Sequence, residues 1–238
     1  MKEILKKLIK SLPIAFTRNQ RYDKLTKKII KTICKADSNC VDVGCHKGEV
    51  LDIMRKYAPE GKHFGFEPIP DLYIDLVEKY SGSTVKIYDF ALSNNYGTAT
   101  FNYVVTNPSY SGLIKRKYDN PHEEDTSIVV KTEKMDTVIP LNTKVDLIKI
   151  DVEGGELLVL EGAVEILKRD KPVVIFEHGI GASDYYGSSP DKIHNLFTNC
   201  KMKIFTLENF LNKGKQLTLA EFEKQYYNQV NYYFVASA

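Results

Sequence analysis

The chain has 238 residues, 43% of them hydrophobic and 27% charged, which is enough to bury a full core within one α/β domain. Lys/Arg and Asp/Glu nearly balance at 33 and 31, so the overall charge selects no partner class. The four cysteines, Cys34, Cys40, Cys45 and Cys200, form no C-x-x-C pair and have no partnered histidine spacing. The composition therefore argues against a zinc centre or a disulfide framework, and a reduced, cytoplasmic protein is expected.

The charge is unevenly placed. Residues 1–35 carry eleven Lys/Arg and two acids. KEILKKLIKSL has apolar residues at helical spacing interrupted by lysines, too short and too charged for a signal peptide or a membrane span. A basic helical segment is expected over residues 1–36, ahead of a domain over 37–238. It suits solvated helix faces, or weak reversible contact with an anionic membrane surface.

From there strands and helices alternate. CVDVGC reads as a buried strand and EVLDIMRKYA as a helix ending near Pro59. KHFGFEP is a second strand, PDLYIDLVEKY a helix with Pro70 near its start, and VKIYDFALS a third strand. KVDLIKID is a fourth, followed by one long helix over GELLVLEGAVEILKRD. KPVVIFEH is a fifth, and SSPDKIHNLFTNC a helix capped by Ser189 with Pro190 at its first position. MKIFTL and NYYFVASA supply two final strands around TLAEFEKQYYNQ, where Thr218 and Glu221 form a capping box. This order predicts a mostly parallel sheet with helices on both faces, closed by an antiparallel return. Residues 95–140 break the alternation: GTATFNYV and SIVVKTEKMDTVI flank the loop TNPSYSGLIKRKYDNPHEED as a hairpin-like insert.

In such a sheet, ligands bind outside the carboxyl ends of the strands. The first of these ends is VDVGCHKGE. A dinucleotide turn needs G-x-G-x-x-G, but His46 stands at the second glycine and Gly48 comes one residue early; no P-loop is present either. The turn therefore suits a nucleoside ligand whose phosphates need no cradle. Glu67, ending the second strand, is placed to accept hydrogen bonds from a ribose diol. Ribose recognition without phosphate recognition points to S-adenosylmethionine.

DVGCHKGE, FEP, DFALS, LIKIDVEGGELLVLEGA and VVIFEH, in that order, resemble the FkbM family of S-adenosylmethionine-dependent methyltransferases over about residues 38–180. The resemblance implies a Rossmann-like class I methyltransferase fold with a seven-stranded sheet, and O-methylation of a hydroxyl on a sugar, glycan or related natural product. By position it assigns Asp42, Gly44, Cys45, His46 and Gly48 to the cofactor turn, Glu67 to the ribose, and Asp89 and Phe90 to the adenine. Cys45-His46-Lys47 departs from the small and polar residues usual there.

Transfer to a hydroxyl requires a proton acceptor. Asp151, Glu153, Glu177 and His178 end the fourth and fifth strands. His178 is the expected base, since its ordinary pKa lies near neutrality; Glu153 orients it or is itself the base. No spacing demands a metal. Ser109, Tyr110 and Ser111, with Glu177, are the expected acceptor contacts. Lys115, Arg116 and Lys117 are placed for an anionic group, and Tyr185 and Tyr186 for a second wall. Two alternatives stand beside this reading: a nucleic-acid methyltransferase, slightly favoured by the basic leader although neither an N-P-P-Y-like tetrad nor a catalytic cysteine motif is present, and a cofactor-binding scaffold without turnover. No nucleic-acid partner is expected.

Overall fold

A computed structural model describes residues 17–118 and 120–238. The leader helix expected over residues 2–12, and its membrane contact, lie outside them.

Strands β1 (Cys40–Val43), β2 (His63–Phe66) and β7 (Leu147–Ile150) are buried at every position. Such unbroken burial requires helices on both sheet faces. With β3 (Val85–Tyr88), β8 (Val173–Glu177), β9 (Lys203–Thr206) and β10 (Tyr233–Ser237) they form a seven-stranded sheet, order β3-β2-β1-β7-β8-β10-β9. Only β10 runs antiparallel to its neighbours, the return expected from the sequence.

Period-two alternation sorts the side chains. Cys40, Leu147, Val173, Ile175 and Val235 face α1 (Arg18–Ile33), α2 (Glu49–Tyr57), α3 (Pro70–Lys79) and α8 (Leu207–Leu211), packing with Ile29, Ile30, Leu51, Met54, Leu76 and Leu207. Val41, Val43, Ile148, Ile150, Val174, Phe176 and Phe234 face the other way. They pack with side chains of α5 (Glu156–Glu161), α6 (Val164–Asp170), α7 (Pro190–Asn199) and α9 (Leu219–Tyr227). Half of the basic leader is thus integral to the domain: α1 buries Tyr22, Thr26, Ile29 and Ile30, and Arg21 pairs with Glu208 at 2.7 Å.

Three elements differ from their sequence expectation. VKIYDFALS is two strands: β3 stays in the main sheet, whereas β4 (Phe90–Leu92) leaves it to pair parallel with β6 (Asp125–Glu133). β6 in turn pairs antiparallel with β5 (Gly97–Val104), so the insert is a three-stranded sheet rather than a bare hairpin. After β6 the chain turns into the short helix α4 (Met135–Val138) instead of extending to Ile139. The expected long helix is α5 and α6, broken at Gly162. A Cβ there would lie 2.0 Å from the Ser93 carbonyl oxygen, and the Gly162 carbonyl accepts the Asp136 N–H at 3.0 Å, so the insert's edge presses into the helix axis. The Thr218–Glu221 capping box is present. Ser189 stands at the N-cap of α7, but its side chain makes no cap bond.

The restarted helix α6 has no local cap. Asp136 supplies one from α4, its two carboxylate oxygens accepting the Glu165 N–H at 3.0 Å and the Ile166 N–H at 2.9 Å. Asp136→Ala should cost about 1–2 kcal/mol of stability, as loss of an N-cap does, and Asp136→Asn much less. Urea denaturation of the two variants checks this; equal losses would mean that the cap is not what Asp136 contributes.

Candidate active site

A cleft of about 1400 Å³ opens over the ends of β1, β7, β8 and β10, walled by the insert loop on one side and α1 on the other. The strand register explains its floor. Asp42 pairs with Lys149 across β1 and β7, and Glu177 with Tyr233 across β8 and β10. Asp151, two residues past Lys149, projects to the same face. A polar row therefore crosses four strands on the face that carries α1.

The first-strand turn is built by close approach. Gly44 has φ +75°, and a Cβ on it would stand 2.0 Å from the Asp151 carbonyl oxygen. His46 takes a left-handed φ of 47° without being glycine, a strained conformation of the kind that collects at ligand sites. Glu67 locks the turn: its carboxylate accepts the His46 N–H at 2.8 Å and the Ile69 N–H at 3.0 Å. Burial raises its pKa to about 7, the two N–H donors notwithstanding. Asp42 is buried with neither carboxylate oxygen hydrogen-bonded. Burial lifts it to about 6, with Lys149 pulling down and Asp151 pushing up.

Asp151 is the reverse case. Burial would raise it, but Lys149 first, with Nζ at 2.5 Å, then Glu177 and the Tyr233 hydroxyl at 2.6 Å, hold it near 2. Glu177 beside it is pushed well up, by burial first and by the Asp151 charge second. Glu156 braces the following turn by accepting the Val152 and Gly154 N–H groups at 3.0 and 3.2 Å. That turn holds Glu153 at φ 57°.

Glu153 points to the insert, where it pairs with Arg116. The Arg116 guanidinium lies 5.0 Å from the Tyr110 ring centre, and Tyr110 stacks on Tyr118 at 6.1 Å. The two walls expected from sequence meet: the Tyr186 hydroxyl accepts the Ile114 N–H at 3.0 Å, and that of Tyr185 the Lys117 N–H at 3.3 Å. Ser111 is turned inward, its hydroxyl accepting the Val104 N–H at 3.0 Å.

Of the residues singled out from sequence, Asp42, Gly44, Cys45, His46, Glu67, Phe90, Ser109, Tyr110, Ser111, Asp151, Glu153 and Glu177 line this cleft. Gly48 sits behind it, starting α2 with φ +73°. Asp89 is exposed at the crossover between β3 and β4 and is not among the lining residues. His178 is a correction. Alternation that points Glu177 into the cleft points His178 to the opposite face, where it is fully buried, stacked 4.7 Å from Tyr226. Burial drops its pKa to about 4 and neither ring nitrogen has a partner. Lys149, Tyr22, Tyr232 and Tyr233 line the cleft without having been foreseen. For Lys149 the signal was there: a lysine inside the otherwise apolar LIKI strand.

These residues fit the cofactor implied by the resemblance. An unpartnered buried Asp42, a Glu67 with lone pairs to spare, and a surplus of carboxylates over cations suit a ligand that is cationic and carries a ribose. Residues 42–211 match the model of the Methyltransferase FkbM domain. The chain belongs to the FkbM methyltransferase family. Methyltransferase sdnD of Sordaria araneosa is 27% identical over 52% of this chain and 60% of its own length. The crystal structure of Methyltransferase FkbM from Methylobacillus flagellatus KT superposes with a TM-score of 0.53 at 14% identity, over 85% of this chain and 44% of that one. A putative rRNA-methylase from Clostridium thermocellum gives 0.49 at 14% identity, over 94% and 96% of the two chains. This chain thus spans less than two thirds of the first two relatives. The first superposition shows a shared class I methyltransferase fold.

In this FkbM-family domain Asp42 and Glu67 of the cleft, and Glu156 buried behind it, titrate above ordinary carboxyls, at about 6, 7 and 7. At these three groups the folded state binds more protons than the unfolded chain between about pH 4 and 7, so the stability they contribute should fall as pH rises through that window, whereas His178, held near 4, contributes with the opposite sign. Glu67→Gln, uncharged throughout, should flatten part of the fall in thermal midpoint between pH 5 and 8. Equal slopes in the two proteins would show that Glu67 does not titrate in this range.

Proposed function

We propose that this chain is an S-adenosylmethionine-dependent O-methyltransferase whose acceptor is a hydroxyl of a small molecule, a sugar or glycan or related natural product. The observation that carries the reading is one cleft in which Glu67 and the Gly44 turn face the Glu153–Arg116 wall across the Asp151 carboxylate.

S-adenosylmethionine supplies a methyl group already activated on a sulfonium. Glu67 would hold its ribose hydroxyls, Phe90 its adenine face, and Asp42 its cationic portion. The protein's remaining work is alignment, exclusion of water and removal of one proton. With His178 on the far face, Glu153 would be the proton acceptor, its carboxylate taking the hydroxyl proton as the acceptor oxygen receives the methyl group that the cofactor would supply. Arg116 fixes that carboxylate from the insert. Asp151, held near 2, is a poor proton acceptor and a good orienting anion. Ser109, Tyr110 and Glu177 would present hydroxyl and carboxyl groups to a polyhydroxylated acceptor.

Among the described residues, no helix is long and apolar enough to cross a membrane.

Calorimetric titration with S-adenosylhomocysteine should show micromolar binding, weakened about tenfold or more by Glu67→Ala, the worth of one or two hydrogen bonds to a charged group. Glu153→Gln should keep that binding and lose about 10²- to 10⁴-fold in turnover of a responsive methyl glycoside. Absence of binding by the wild-type protein would sink the cofactor assignment. Full turnover by Glu153→Gln would move the base elsewhere.

A further inference from the structure

The Tyr233 hydroxyl donates to Asp151 Oδ2 at 2.6 Å, and Lys149 Nζ reaches the same oxygen at 2.5 Å. The two donors come from different strands, β10 and β7, and approach one carboxylate oxygen. Tyr233 has little freedom to do otherwise. Its ring stacks on Tyr22 with centres 5.1 Å apart, is edged by Tyr232 at 5.9 Å, and lies 5.8 Å from Lys149 Nζ. Lys149 is nearly buried, with 7% of its side chain exposed, whereas 28% of the Asp151 side chain remains open to the cleft. Tyr233 also lies beyond residues 42–211, the span that matches the family model.

We propose that Tyr233, together with Lys149, is a positioning residue for methyl transfer: the two donors clamp one oxygen of Asp151 so that the carboxylate stays anionic, in one orientation, at the floor of the cleft. There it orients the acceptor hydroxyl toward Glu153, a role that rests on the transferase reading given above.

The clamp answers a specific electrostatic problem. Asp151 is faced by Asp42 from β1, Glu177 from β8 and Glu156 from α5, all acids, against the Lys149 cation. Lys149 holds Asp151 Oδ2 from β7, and the Tyr233 hydroxyl holds the same oxygen from β10. Burial first and Asp151 second push the tyrosine pKa well up, so this second donor adds no charge to the cleft.

Tyr233→Phe tests this with the ring packing retained. Two readouts separate positioning from mere structural support. In protein labelled with carbon-13 at the aspartate carboxyl, with the Asp151 resonance assigned through Asp151→Asn, the variant should titrate at clearly higher pH than the wild type. With a methyl glycoside that the wild type turns over, kcat should fall about ten- to a hundredfold, the rate equivalent of one hydrogen bond to a charged group, with little change in acceptor KM. The acidic limb of the pH profile should move up with the carboxyl. An unchanged titration overturns the inference, and so does a shifted titration with unchanged kcat and pH profile. The titration needs no acceptor, so it remains readable if S-adenosylhomocysteine fails to bind and the transferase reading falls; the two failures are therefore distinct.

Discussion

The Asp151 carbonyl oxygen occupies the space that a side chain at position 44 would fill, 2.0 Å from where its Cβ would stand. The rest of the site depends on that backbone approach. It brings the ends of β1 and β7 into register, so that Asp42, Lys149 and Asp151 share one face. The same turn then presents the His46 N–H to Glu67, tying the end of β2 to β1. Gly44→Ala would not merely trim the turn; it would force apart two central strands whose side chains lie in both halves of the core. The site and the fold are here the same structure.

The energetic consequence is a floor of acids that the fold alone does not favour. Burial raises Asp42, Glu67 and Glu156, and each ionised carboxylate among them is a cost to stability near neutral pH. Asp151 escapes because Lys149 and Tyr233 reach it directly. A row that is too acidic for the empty protein is well matched to a cationic ligand, since binding neutralises what folding left unpaired. Two strained backbone positions, His46 and Glu153, flank the same row, which fits a turn shaped by what it holds and not by its own preference.

How legible this was depended on the range of the cause. The first-strand turn, Glu67 and the insert were readable because each is a local pattern: two glycines after an apolar run, an acid at a strand end, two alternating segments around a polar loop. His178 was misplaced by one residue of a period-two pattern, since VIFEH does not say which of Glu177 and His178 faces the cleft. The register of β10 against β8, which pairs Tyr233 with Glu177, decides that from more than fifty residues away. The break at Gly162 and the departure of β4 from the main sheet both arise where the insert meets the domain, through the Ser93 carbonyl and the Glu133 pairing. No window of local sequence contains those contacts. Lys149 was legible in principle, because a charge within a fully buried strand must have a partner.

The two halves of the cleft are held by different kinds of constraint. On the cofactor side, backbone geometry sets the shape: Gly44, the left-handed His46 and the N–H groups bound by Glu67 admit few substitutions. On the other side, Tyr22 of α1, Tyr233 of β10 and Tyr232 just before it lie outside the family-matching span and meet through ring packing and hydroxyls such as that of Tyr22, which donates to Asn231 at 2.9 Å. Side-chain surfaces of this kind change by single substitutions without disturbing the sheet. Tyr233 is distinct within the wall, because its hydroxyl is committed to Asp151.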